Sequence, residues 1–347
     1  MKRARRRPTR RQLQRAANTL RAQELRRDDE TLKLERPHPP AAAASGLVGA
    51  PAVQDYLRGI LAMVAACASF AFGDTIMKLI AGSVPTSELL FIRGLFVLAG
   101  AVAACAYLGA FSVLHRAFST VMAARAGGDT IGAWSFQLAL ARMPYADLSA
   151  IGQLSPLTIT AASALLFAEK VGWRRWTATA IGFLGVLLII RPGSSTFNWW
   201  ALAGIASVLG STIRDLATRR VDPSVPPPMI TIFSAGLTIA TSLIVALWVP
   251  WTWPSALIVF ALFCAAMFSL FGQWCTIVAV RTAEISAVVP FRYSIIIFAI
   301  ISGMTVFGHF PDPVTLLGIL IVCAAGLYTF HREQTLKRQA APKSLRP

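Results

Sequence analysis

Residues 229–249 read MITIFSAGLTIATSLIVALWV, an unbroken run without a single charged side chain. A helix rises 1.5 Å per residue, so a stretch of this length reaches across the roughly 30 Å hydrocarbon core of a bilayer. Working outward, nine further stretches have the same character. The ten predicted spans are 57–80, 87–108, 119–141, 146–168, 174–191, 198–219, 227–249, 254–279, 284–307 and 314–330. Turn-forming residues separate them, as in Gly82-Ser83-Val84-Pro85 and Pro192-Gly193-Ser194-Ser195. The third span carries Arg125 and Asp129, so its first turns must face protein or water.

Composition agrees. The chain is 55% apolar and only 14% charged, against roughly a quarter charged in soluble domains. Too few charges remain to wet a surface of this size. Of the 33 Lys and Arg, 13 fall in residues 1–40 and 5 in residues 331–347. The middle is therefore the structure. Residues 1–56 read as a basic, disordered cytoplasmic tail, because their few large apolar residues cannot offset the entropy of ordering. Residues 331–347 read as a second basic tail. The long basic start with no apolar core directly behind it is not a secretory signal. The five cysteines lie in apolar stretches without metal-ligand spacing and read as small packing residues.

Orientation follows from the short loops. With the N-terminus in the cytoplasm, the cytoplasmic loops hold Arg116, Lys170, Arg174, Arg175, Arg219, Arg220 and Arg281. The opposite loops hold Arg142 and Arg191. Positive residues stay inside, so both termini are expected in the cytoplasm.

The chain also repeats. Asp74 and Lys78 precede Ser83-Val84-Pro85, and Asp215 and Arg219 precede Ser224-Val225-Pro226, 141 residues later. Ala146-Asp147-Leu148-Ser149-Ala150 matches Ala283-Glu284-Ile285-Ser286-Ala287 at an offset of 137. Two halves of five spans each are expected, 57–191 and 198–330. An odd number of spans turns the second half upside down in the membrane, as in many secondary transporters. The expected fold is thus an all-α polytopic membrane protein with ten transmembrane helices in two inverted five-helix repeats.

Several stretches then resemble a known family. They include Gln153-Leu154-Ser155-Pro156-Leu157, Phe167-Ala168-Glu169-Lys170-Val171-Gly172-Trp173-Arg174-Arg175-Trp176 and Gly182-Phe183-Leu184-Gly185-Val186 with Arg191-Pro192-Gly193. The second half contributes Pro290-Phe291-Arg292-Tyr293-Ser294, Phe310-Pro311-Asp312 and Gly326-Leu327-Tyr328. Arg93 and the run Arg214 to Arg220 look similar too. Over roughly residues 57–333 the chain resembles the EamA family of the drug/metabolite transporter superfamily. It departs where Phe167-Ala168-Glu169 in the first half is answered by Phe307-Gly308-His309 in the second, and in its Arg-rich N-terminus. The resemblance implies a central cavity and movement of small organic solutes across the cytoplasmic (inner) membrane, commonly as efflux by proton exchange.

Ionisable groups inside a bilayer cost roughly 2.5–3.5 kcal/mol each on insertion scales, so each needs a reason. Asp74 and Lys78 share a helical face and can pair. They read either as a structural ion pair or, with Asp215 and Arg219 at the other mouth, as gates. Arg93 reads as a lock on Asp74 or Glu88, or as a contact to an anionic substrate group. Arg292, beside Tyr293, is placed close to the midplane and in the cavity. Trp134, Gln137, Gln153, Ser155, Gln273 and Trp274 read singly as packing or interhelical bonding, and together as the lining of a small-solute site. Pro156 and Pro290 fall inside spans and are expected to bend them. Trp199, Trp200, Trp248, Trp251 and Trp253 read as interfacial anchors.

No phosphate loop, metal-spaced His pair or nucleophile motif is present, and no enzyme, cofactor or metal site is expected. Expected partners are a small-molecule substrate, anionic lipid headgroups at the basic tails, protons as coupling ion and a second copy of the chain. The tail's charge alone does not argue for nucleic acid. The rival reading is a membrane-embedded binding or signalling protein with a basic cytoplasmic tail, which has no need of an inverted repeat.

Overall fold

The computed structural model describes residues 53–167, 173–192, 198–282 and 288–340. The N-terminal tail up to residue 52, Glu169-Lys170 and the 283–287 part of the second repeat match lie outside these residues. The first half begins with α1 (Val53–Ile80) and α2 (Thr86–Tyr107). Short turns over Ala110–Val113 and Leu114–Ala117 lead to α3 (Thr120–Arg142), where Ser119 accepts from the Met122 amide as N-cap. Then follow α4 (Tyr145–Gly152), α5 (Ser155–Phe167) and α6 (Trp173–Ile190). The second half contains α7 (Trp200–Thr218), α8 (Pro227–Ala246) and α9 (Ala256–Thr282). A 3-10 turn over Val289–Tyr293 opens α10 (Ser294–Thr305), and α11 (Pro313–Ala340) is last. α11 runs on through most of the stretch read from sequence as a C-terminal tail.

Among the described residues, six helical stretches are long and apolar enough to cross a membrane: Gln54–Ile80, Thr86–Tyr107, Tyr145–Leu165 (α4 with most of α5), Pro227–Ala246, Ala256–Thr282 and Pro313–Arg332. The outer surface suits lipid. Ile181, Leu184 and Leu187 of α6 and Leu202, Leu209 and Ile213 of α7 are all about half exposed. A water-soluble surface would not carry so much apolar area. The protein is an all-α polytopic membrane protein.

Two proline positions differ from expectation. Pro156 and Pro290 do not sit inside continuous helices. The fourth span is broken at Gln153-Leu154, and Pro156 occupies the first turn of α5. Pro290 likewise lies at the start of its 3-10 turn. The reason is local: proline has no N–H to give, and the first turn of a helix needs none.

Packing joins the two halves along their lengths. α1 lies on α9 and α10, α2 on α8 and α9, α3 on α7 and α8, α5 on α7, and α6 on α11. Where α3 crosses α7 the backbones nearly touch. A Cβ added to Gly210 would sit 2.5 Å from the Gly132 nitrogen and 2.7 Å from the Gly128 oxygen. Only glycine permits this approach, which gains dispersion contacts where lipid offers no hydrophobic drive. Hydroxyl pairs add specificity, with Thr158 and Thr212 at 2.7 Å and Thr75 and Ser302 at 3.0 Å.

Candidate functional site: a cavity open at one end

A cavity of about 1280 Å³ occupies the bundle interior. Its wall follows helical periodicity. α3 contributes Arg125, Asp129, Ala133 and Phe136; α7 contributes Ser207, Ser211, Arg214, Asp215 and Thr218. Both sets recur at three- and four-residue steps, so each is one face of its helix. On α7 the opposite face is Leu202, Leu209 and Ile213, turned outward.

The cavity occupies only one half of the bundle. On α8 the lining runs from Pro227 to Thr238, although the helix continues to Ala246. On α9 it runs from Ser269 to Val280, although the helix begins at Ala256. On α1 it stops at Asp74. The cavity therefore reaches the end where α3 starts and α7 finishes, and exposed Thr218, Arg219 and Val280 stand there. The far end is stitched shut. Lys78 donates to the Leu140 and Met143 carbonyls at 2.8 Å each, neutralising the C-terminus of α3. Glu88 accepts from the Thr252 amide and hydroxyl at 3.1 and 3.3 Å. Asn198 donates to the Arg142 carbonyl, and Arg191 pairs with Asp312.

Asp312 lies outside the spans. Burial raises its carboxyl, but hydrogen bonds from Arg191, from the Thr315 hydroxyl and from the Thr315 and Val314 amides outweigh this. Together they hold it down at about 2.

The geometry sorts the residues chosen from sequence. Arg93, Gln153, Ser155, Gln273, Arg292 and Tyr293 line the cavity, as do Asp74, Asp215 and Arg219. Trp134, Gln137, Trp274 and Lys78 are not in the lining. Trp134 donates to Thr241 across the α3–α8 contact at 3.1 Å. Gln137 is buried, and its Nε2 has no partner among the described residues. Trp274 is 59% exposed on the outer face beside Phe271. The paired gates do not form as drawn. Asp74 accepts from the Tyr145 hydroxyl at 3.1 Å, while Lys78 turns to the carbonyls of α3. Asp215 takes the Arg214 Nε at 2.9 Å, and Arg219 is exposed at the mouth. Arg93 has no salt bridge to Asp74 or Glu88; it donates to Ser269 at 2.7 Å. Arg292 sits in the 3-10 turn and not in the body of a helix, and its carbonyl accepts from Cys67, midway along α1.

Sequence reasoning underrated one cluster. Asp129 accepts from Arg214 at 3.2 Å and lies 3.8 Å from Arg125. Arg125 also donates to Thr218 and Ser234. The signal was present: Arg125 and Asp129 stand four apart in an otherwise apolar span.

Residues 57–191 match the family model described as EamA-like transporter family. Over these residues the chain is similar to that family. An S-adenosylmethionine uptake transporter of Rickettsia prowazekii (strain Madrid E) is 23% identical over 82% of this chain and 96% of its own. A riboflavin transporter of Vibrio cholerae is 29% identical over 48% of this chain and 56% of its own. The pseudopaline exporter CntI of Pseudomonas aeruginosa is 26% identical over 78% of this chain and 96% of its own. A solved crystal structure shares the fold with a TM-score of 0.55 at 19% identity, covering 83% of this chain and 99% of that one. The three names describe transport of small molecules, not catalysis.

Proposed function

We propose that the protein is a secondary transporter that carries a small organic metabolite by alternating access. The observation that supports this best is the half-channel: a cavity that reaches one end of the bundle and stops midway, with the other end stitched by polar contacts. A permanent pore would be lined along its whole length. A binding protein would have no use for a second, closed end.

The architecture we propose is ten spans in two inverted repeats, 57–191 and 198–330. The helix contacts favour it. Exchanging each span for the one five places along maps the first–eighth contact (α1 on α9) onto the sixth–third contact (α7 on α3). It maps second–seventh (α2 on α8) and fifth–tenth (α6 on α11) onto themselves. The broken fourth and ninth spans correspond as well. Broken helices facing a cavity are where freed backbone groups meet solvent or solute.

The open end carries Arg116, Arg219, Arg220 and Arg281. By the charge rule it faces the cytoplasm, so the structure is read as inward-open. We propose Arg93, Gln153, Ser155, Gln273, Arg292 and Tyr293 as solute-facing residues. Efflux in exchange for protons rests on the family resemblance alone. Uptake and export both appear among the named relatives.

Two measurements test this reading. In a cysteine-free chain, Ser83→Cys should react with an impermeant thiol reagent from outside intact cells. Ser224→Cys should react only after the membrane is opened. The reverse pattern would invert the topology. An untargeted comparison of metabolites inside and outside cells, with and without the chain, should show a solute whose distribution changes. No change in any solute under any growth condition would argue against transport.

A further inference from the structure

The cavity wall is electrically unbalanced in a way that names a class of solute. Five arginines line it, Arg93, Arg125, Arg214, Arg219 and Arg292, against three aspartates, Asp74, Asp129 and Asp215. Five minus three leaves an excess of two positive charges in a water-accessible, low-dielectric cleft, which focuses the field on whatever enters.

The aspartates are also less available than the arginines. Asp129 and Asp215 are committed to Arg214. Asp74 has its Oδ2 bonded by the Tyr145 hydroxyl and makes no ion pair within the described residues.

Arg93 stands out among the cations. It lies deepest, level with Asp74 where the cavity ends. Its Nη2 is spent on the neutral Ser269, and its Nε is buried without a partner among the described residues. A buried, charged donor left unmade is costly, and the cost is removed when an acceptor arrives. A guanidinium edge donates two parallel N–H bonds to two oxygens of one oxyanion. Phe70, Phe136 and Tyr293 supply apolar surface for the rest of the molecule.

We infer that the solute is an organic anion whose carboxylate or phosphate is received by Arg93 at the blind end of the cavity. The inference rests on the transport reading for its meaning, but not for its test. Asp74 is the nearest opposing charge, so it sets a penalty on the anion and a bait for cations. Removing it should favour the anion further.

The test reads the cavity's preference directly. In the full chain with its five native cysteines replaced, Val97→Cys places a thiol one turn beyond Arg93 on the same wall of α2. Reaction rates are measured with an anionic and a cationic methanethiosulfonate on the detergent-solubilised protein, each normalised to its rate with 2-mercaptoethanol. The anionic reagent should be favoured roughly tenfold. Arg93→Gln, which keeps a donor for Ser269, should bring the ratio close to one, and Asp74→Asn should raise it. Benzoate or phenyl phosphate should slow the reaction, and benzylammonium at equal concentration should not. Whichever anion protects better assigns the group as carboxylate or phosphate. A ratio below one, a ratio indifferent to Arg93→Gln, protection by benzylammonium alone, protection by neither anion, or no reaction with either reagent would each overturn the inference. Flux plays no part in the measurement. A chain that selects anions yet moves nothing fails only the transport reading, and one that transports yet shows no anion preference fails only this one.

Discussion

Two arginine–serine bonds brace the cavity, and they run in opposite senses. At one, Arg93 of α2 donates to Ser269 of α9. At the other, Arg125 of α3 donates to Ser234 of α8. Ser234 stands 141 residues after Arg93, the same step that separates Asp74 from Asp215. Arg125 and Ser269 are 144 apart, one helical turn off that step, so on the proposed two-repeat reading the bonds are similarly placed, with the arginine supplied from opposite partners. Their surroundings differ. Arg125 belongs to a network with Asp129, Arg214, Asp215 and Thr218, so its donors and the neighbouring carboxylates are used. Arg93 has one neutral partner and a spare donor. On the anion reading proposed above, this is a division of labour: the saturated bond holds helices, and the unsaturated one receives the solute.

The helix contacts beneath the two bonds should break the comparison first if it is wrong. α3 and α7 meet through Gly128, Gly132 and Gly210, and a Cβ at Gly210 would meet backbone atoms 2.5–2.9 Å away. Backbone cannot swing aside as a side chain can. Gly210→Ala should therefore cost about 3 kcal/mol or more, at the upper end of overpacking effects. On α1, a Cβ at Gly73 would lie 3.4 Å from the Ala265 oxygen and 3.5 Å from the Phe268 Cβ, an ordinary contact. Gly73→Ala should stay within about 1 kcal/mol of the parent, helped by the better helix propensity of alanine. Thermal melting in detergent reads both. Equal losses would mean that the α1–α9 and α3–α7 contacts are equally tight.

A smaller effect is expected from the charges themselves. Arg214→Gln leaves Asp129 and Asp215 short of their main partner in a half-buried site. The loss should be about 2 kcal/mol, the usual cost of stranding a polar group. Arg93→Gln removes a buried charge that has no ion pair among the described residues and keeps a donor for Ser269, so the loss should be smaller than for Arg214→Gln. If Arg93→Gln proves the more destabilising, the unsaturated bond is structural after all.

How much of this was legible beforehand depends on what each residue type can reveal. Charges within apolar runs were visible at once, because the bilayer penalises them wherever they point. That is why Asp74, Arg93 and Arg292 were found. Uncharged candidates were harder. Gln273 and Trp274 are adjacent in sequence, yet one lines the cavity and the other faces outward. A step of one residue turns a helix by about 100°, and a span apolar all round gives no phase to choose by. Partners were harder still. The four-residue spacing of Asp74 and Lys78 permits an ion pair, but the carbonyls ending α3 arrive from 62 residues away and take the lysine. Proline marked where the fourth and ninth spans change, without saying that the helix restarts there.

The smallest effect lies at the closed end, where Asp312 does two jobs. It caps α11, accepting from the Val314 and Thr315 amides at 3.0 and 3.3 Å, and it pairs with Arg191 at the end of α6. Asp312→Ala removes both and should cost about 1 kcal/mol, as for other N-caps. Asp312→Asn keeps an acceptor for the cap and loses only an ion pair that water partly screens, which is worth roughly 0.2–1 kcal/mol. The carboxyl is held at about 2 in the folded chain, below its unfolded value of about 3.9. Stability from this group is therefore fully present above pH 4 and is lost as the pH falls toward 2. Melting temperatures of the parent and Asp312→Asn should differ by a constant amount from pH 5 to 8 and converge only in strong acid. A gap that closes between pH 5 and 7 would show that a different group governs the closed end. Asp147, also on that side, would then be the first to replace.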